Sequence, residues 1–117
     1  MKDILKRLEG AVGVQGSLVM TRDGVLASSC VHDETTADRV AALASTVLRS
    51  LERQLPHLGA ARVKRITMLG RRGRLIFVPI DDFVLVIIAD KDTDLEFTLM
   101  EIAGLASRLG KRGKINV

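Results

Sequence analysis

VQGSLVMTRDGVLASSC, residues 14–30, consists of two apolar runs joined by Arg22, Asp23 and Gly24, and it reads as a β-hairpin. Asp-Gly is a strong hairpin signal because both residues tolerate the positive φ values that tight turns between twisted strands require. Gly16, inside the first run, predicts a bulge or a close approach of another backbone. Upstream, Ile4, Leu5 and Leu8 recur at helical spacing ahead of Gly10, which predicts a short amphipathic helix over Asp3 to Glu9 that needs a sheet to lie on.

Downstream of the hairpin the period changes. Val40, Leu43, Ala44, Val47, Leu48, Leu51, Leu55 and Leu58 recur every three or four residues, predicting a long second helix from Thr35 to about His57. Thr35 or Thr36 is the expected N-cap, Asp38 favours the first turn, Gly59 follows the end, and Pro56 should stop the regular helix just before it. Asp38, Arg39, Ser45, Thr46, Arg49, Glu52 and Arg53 form the polar stripe, while Ala37, Ala41, Ala42 and Ala44 widen the apolar side. Small residues there suit packing on the sheet and leave room for a second surface, such as another copy of the helix.

The rest reads as a meander and a helix. RVKRITML, Arg62 to Leu69, is a strand whose positive charge suits a sheet edge that must avoid random pairing. Gly70 to Gly73 is a turn, Arg74 to Ile80 a strand, Asp81 and Asp82 a second turn, and Phe83 to Ala89 a continuous apolar strand. An unbroken apolar run predicts burial on both faces, so helices should cover both sides of the sheet. Thr93 and Glu96 have capping-box spacing ahead of a last helix whose apolar face is Leu95, Leu99, Ile102, Ala103, Ala106 and Leu109. Gly110 should end that helix, giving one domain over residues 1–110 and a short basic tail over 111–117.

Composition narrows the function classes. The chain has 117 residues, 47% of them hydrophobic, which suffices for a core without metal or disulfide staples. A single cysteine, Cys30, and no stretch resembling a cleavable signal point to a cytoplasmic protein. Leu75 to Ala89 is greasy, yet Pro79, Asp81 and Asp82 interrupt it well short of the ~20 apolar residues a spanning helix needs, so no membrane insertion is expected. The net charge of +4 raises the question of nucleic acid, with basic groups at Arg62, Lys64 and Arg65, at Arg71, Arg72 and Arg74, and at Arg108, Lys111, Arg112 and Lys114. With no Trp or Tyr and three Phe there is little for bases to stack on, so a solvated basic surface is the preferred reading.

Candidate chemistry is thin. Cys30, His32 and His57 make neither a metal set nor a nucleophile pair. Asp81 and Asp82 are adjacent acids in a turn, and Asp90, Asp92 and Asp94 lack the glycine and bidentate glutamate of a calcium loop, so they read as a helix entry. No phosphate-binding loop of the Gly-x-x-x-x-Gly-Lys-Ser/Thr type occurs. No enzyme activity, cofactor or metal is expected.

Helix, hairpin, long helix, three-strand meander, helix: this order resembles the Roadblock/LC7 family. The resemblance rests on Val14 to Ala27, a strand with a glycine followed by an acidic-glycine turn and a second strand, and on Gly73 to Ile80 followed by Asp82 to Val86, which look like the family's fourth and fifth strands. It implies an α+β sandwich, with a five-stranded antiparallel sheet carrying the long helix on one face and the terminal helices on the other. It further implies a homodimer, or a heterodimer with another Roadblock chain, in which long helices lie side by side and third strands pair edge to edge. Ala41, Ala44 and Leu48 on the helix, and Val63, Arg65, Thr67 and Leu69 on the edge, are the expected dimer interface. The family's association with Ras-like small GTPases implies a non-catalytic platform that regulates such a GTPase, with Arg39, Thr46, Arg49 and Arg53 as the expected partner-binding residues. A structural adaptor indifferent to nucleotide state is the alternative, and a basic nucleic-acid module a third.

Overall fold

The computed structural model describes residues 2–31, 33–59 and 63–111. Its elements are α1 (Lys2–Glu9), β1 (Val14–Thr21), β2 (Leu26–Cys30), α2 (Glu34–Gln54) with a 3-10 turn over Leu55–Leu58, β3 (Ile66–Leu69), β4 (Arg74–Ile80), β5 (Phe83–Ala89) and α3 (Glu96–Lys111). The strands form one antiparallel sheet in the order β2-β1-β5-β4-β3. The hairpin and the meander therefore join through β1 and β5, leaving β2 and β3 as edges.

Alternation along the central strands builds two cores. Leu18, Met20, Phe77, Val84 and Val86 face α2 and pack with Ala37, Ala41, Ala44 and Leu48. Val19, Ile76, Leu85, Ile87 and Ala89 face the other way, against Ile4, Leu5 and Leu8 of α1 and Ile102 of α3. The apolar run of β5 is thus buried on both faces, as its composition requires. Complete burial of each large side chain contributes about 1.5–3 kcal/mol of transfer free energy, which makes the layered core the main source of stability.

Two glycines set the hairpin. At Gly16 the β1–β5 register shifts, and a Cβ would lie 2.6 Å from Val31 Cγ1, so the strand needs a residue without a side chain there. Gly24 has φ +91°, and its N–H donates to the Thr21 carbonyl at 3.0 Å while Thr21 N–H donates to Val25 O at 2.9 Å. A Cβ on Gly24 would come within 2.7 Å of Ser45 Oγ, so the hairpin tip presses directly onto α2. That contact buries Ser45, which therefore does not belong to the polar stripe where its spacing placed it.

Several boundaries differ from expectation, each for a local reason. β3 begins at Ile66, not Arg62: Ile66 pairs with Phe77, and two residues further along β4 Pro79 has no N–H to offer a further rung. Val63 to Arg65 are irregular, and Arg62 lies outside the described residues. At the start of α2 the cap position is Asp33, whose carbonyl accepts from Ala37 N–H at 3.1 Å, while Thr36 Oγ1 donates to the Asp33 carboxylate. The entry to α3 is not a Thr93–Glu96 capping box. Asp90 accepts from Thr93 N–H at 2.8 Å and Thr93 Oγ1 at 2.7 Å, and Asp94 Oδ1 accepts from Glu96 N–H at 3.0 Å, because carboxylates outcompete a hydroxyl for amide donors. α3 runs one residue past Gly110, to Lys111.

Candidate partner-binding surface

The sheet fixes how α2 is rotated. Ala37, Ala41, Ala44 and Leu48 are 0–1% exposed in a single copy, so they are core residues and cannot touch a second helix. For Ala41, Ala44 and Leu48 this corrects their expected place in a dimer interface: the sheet takes the small-residue stripe, and close approach serves packing within the monomer. One stripe that α2 presents outward is Arg39, Ala42, Leu43, Thr46, Arg49, Ser50 and Arg53, with Asp38 and Glu52 also exposed beside it. Leu43 is 45% exposed and stands in line with the arginines.

This outward stripe contains all four residues expected to bind a partner. Arg39 to Arg53 span about 21 Å at the helical rise of ~1.5 Å per residue. Thr46, Arg49, Ser50, Glu52 and Arg53 line a shallow, open depression of about 410 Å³. Thr46 Oγ1 is engaged locally, donating to Ala42 O at 3.0 Å. Glu52 is neutralised by Arg22, whose Nη1 lies 2.5 Å from its carboxylate. The same guanidinium donates from Nε and Nη2 to the Asp81 carbonyl at 3.2 and 3.1 Å, tying the β1–β2 turn to both the β4–β5 turn and α2. Asp81 holds that turn with φ +53°, a conformation aspartate adopts more readily than most residues. Arg39, Arg49 and Arg53 have no ion-pair partner among the described residues. Their planar, permanently charged forks suit carboxylates on an incoming surface.

The second candidate surface is the β3 edge. Thr67 and Leu69 are exposed on the face shared with the terminal helices, Leu69 at 72%, whereas Ile66 and Met68 lean on the α2 core. Val63 and Arg65, also expected at an interface, precede the strand. Val63 is half-buried and Arg65 is exposed, its guanidinium 3.4 Å from Glu96 of α3.

Other candidates resolve into structure. Asp90 anchors the β5–α3 connection: besides its bonds to Thr93, it accepts from Asp92 N–H, and its backbone carbonyl accepts from Arg74 Nε at 2.8 Å. The Thr93 hydroxyl, then the Thr93 amide, hold the Asp90 carboxyl below the usual aspartate value against an opposing effect of desolvation, with the Asp92 amide and Arg74 lowering it by less. Cys30 is half-buried against the terminal-helix core, and His32 lies outside the described residues. Among the described residues no three His, Cys, Asp or Glu side chains come together as a metal set. None of their helices is long and apolar enough to cross a membrane.

Comparison with known proteins matches the Roadblock/LC7 domain model to residues 1–89. The chain belongs to the Roadblock/LC7 family. An uncharacterized protein of Methanocaldococcus jannaschii is 26% identical over 92 residues, covering 79% of this chain and 81% of the relative. The Roadblock/LC7 domain from Streptomyces avermitilis shares the fold with a TM-score of 0.83 at 17% identity, covering 96% of each chain. Myxococcus xanthus MglB has a TM-score of 0.77 at 18% identity, covering 93% of this chain and 87% of that one. As a Roadblock/LC7 protein the chain belongs to a family of regulatory, non-enzymatic domains, and its order of elements and two-sided helix packing are those the sequence resemblance implied.

Sequence reasoning missed Ala42, Leu43 and Ser50, the uncharged part of the exposed stripe. The signal was present, since each stands three or four residues from an arginine already chosen. It was masked because Leu43 also fits the apolar period that the sheet selects through Leu48.

Proposed function

We propose that this Roadblock/LC7 protein is a dimeric, non-catalytic platform in the cytoplasm that binds a Ras-like small GTPase and alters its nucleotide cycle. The observation that carries this reading is the exposed α2 stripe, where Arg39, Arg49 and Arg53 are free of ion pairs among the described residues while the neighbouring Glu52 is held by Arg22. Such a surface supplies binding and orientation to a carboxylate-bearing partner and no group that need enter the partner's active site. Regulation then follows from differential affinity: a platform that binds one switch conformation more tightly shifts the population towards it. The β3 edge and the uncharged α2 residues Ala42, Leu43 and Ser50 are the surface we assign to dimerisation, with a second copy or another Roadblock chain.

The test is to measure nucleotide release and GTP hydrolysis by Ras-like small GTPases of the same organism, with and without the protein. A change in either rate that is lost with Arg49→Glu/Arg53→Glu is the expected result. Unchanged rates would leave the adaptor reading, in which the dimer joins larger assemblies irrespective of nucleotide.

A further inference from the structure

The β3 edge has an unusual charge balance. From residue 62 to residue 74 the sequence carries six basic residues, Arg62, Lys64, Arg65, Arg71, Arg72 and Arg74, and no acidic one. Two are answered from elsewhere in the fold: Arg65 faces Glu96 of α3, and Arg74 lies against Asp90 and donates to the carbonyls of Asp90 and Thr93. Lys64, Arg71 and Arg72 are exposed and have no hydrogen bond or ion pair among the described residues. They flank the four-residue strand on both sides, Lys64 before it and Arg71 and Arg72 in the turn after it.

Pairing this edge with itself brings like charges together. Two antiparallel copies of Ile66–Leu69 centred on one another bring Lys64 of each copy beside the Gly70–Gly73 turn of the other, which carries Arg71 and Arg72, twice by symmetry. Sliding by one residue in either direction keeps Lys64 or Arg65 beside that basic turn. No register that keeps the strand paired supplies an acid, and like charges directly opposite across a strand pair are destabilising. The main-chain donors and acceptors of the edge remain open to a strand, so the charges select which strand enters and do not close the edge.

We propose that the β3 edge is built to pair with the edge strand of a different chain, one carrying Asp or Glu opposite Lys64, Arg71 and Arg72, in preference to a second copy of itself. This inference rests on the reading that β3 is an association surface. An acidic strand converts each repulsion into attraction, whereas a basic one leaves net repulsion that only salt relieves.

The test uses a probe that differs only in edge charge: this same chain with Lys64→Glu, Arg71→Glu and Arg72→Glu, its fold checked by circular dichroism. Sedimentation of labelled protein compares three combinations, wild type with itself, the probe with itself, and the two mixed, at about 50 and 500 mM salt, where the screening length falls from above to below ~10 Å. The mixed pair is expected to be at least about tenfold tighter than the wild-type pair at low salt. Its advantage should shrink at high salt, while the wild-type pair tightens. A wild-type pair that equals the mixed pair at low salt, or is indifferent to salt, would overturn the inference while leaving β3 as an interface. No association in any combination would overturn the interface reading together with the inference.

Discussion

Replacing Gly24 with alanine tests whether the hairpin tip is held against α2. Gly24 has φ +91°, beyond the range a side-chain-bearing residue adopts comfortably, and such strain costs about 1–3 kcal/mol. The new Cβ would also stand 2.7 Å from Ser45 Oγ, 3.0 Å from Ser45 Cβ and 3.3 Å from the Ala41 carbonyl. Overpacking of that kind typically costs a further ~1–3 kcal/mol, with helix and turn sharing the displacement. Together, Gly24→Ala should lose about 2–6 kcal/mol, a large part of the ~5–15 kcal/mol expected of a whole domain. At roughly 4 °C per kcal/mol for a chain of this size, the midpoint should fall by about 8 °C or more. Urea and thermal unfolding followed by circular dichroism measure it. Ser45→Ala removes the nearest atom, so Gly24→Ala should be milder in that background, with a coupling of about 0.5–1 kcal/mol. A loss below about 0.5 kcal/mol, or equal losses in both backgrounds, would refute the proposed contact.

Other outcomes follow from the same geometry. Leu48→Ala should destabilise the fold by about 2–5 kcal/mol because it empties a core position, whereas Leu43→Ala should cost under ~1 kcal/mol and weaken self-association instead; the reverse pattern in denaturant melts and sedimentation would restore Leu48 to the surface. Asp90 has its carboxyl depressed in the folded state, so its contribution is present above the unfolded-state value and is lost as pH falls through the lower folded value. Thr93→Val removes the leading cause: carboxyl titration by NMR should show Asp90 rising towards the ordinary aspartate range, and the acid-side loss of stability should become shallower. An unmoved Asp90 titration would show that the hydroxyl is not what holds it.

The residues differ in how much of this they revealed. Phe83 to Ala89 declared a two-faced strand because an unbroken apolar run has no side for water, and Arg22-Asp23-Gly24 declared its turn because few residues accept those dihedrals. Pairing of β1 with β5 was not legible, since register between distant strands depends on which faces are buried and not on local pattern. Nor was the rotation of α2. Its apolar arc is wide enough for two adjacent stripes, and only docking on Leu18, Met20 and Phe77 chooses Ala41, Ala44 and Leu48 over Leu43. The candidate site was half visible for the same reason: charged Arg39, Arg49 and Arg53 had to face outward, while Ala42, Leu43 and Ser50, at helical spacing from those arginines but uncharged, stayed masked until the sheet chose its stripe. Thr93 fitted a capping motif by spacing, but a neighbouring carboxylate, Asp90, had already taken its hydroxyl.

The most direct test of the regulatory account is a calorimetric titration of this protein with Ras-like small GTPases of the same organism, each loaded in turn with GDP and with a non-hydrolysable GTP analogue. The account requires affinities that differ by about tenfold or more, equivalent to ~1.4 kcal/mol of differential binding, with Arg49→Glu/Arg53→Glu abolishing the tighter one. Equal affinities for the two loaded states, or no binding to either, would contradict it.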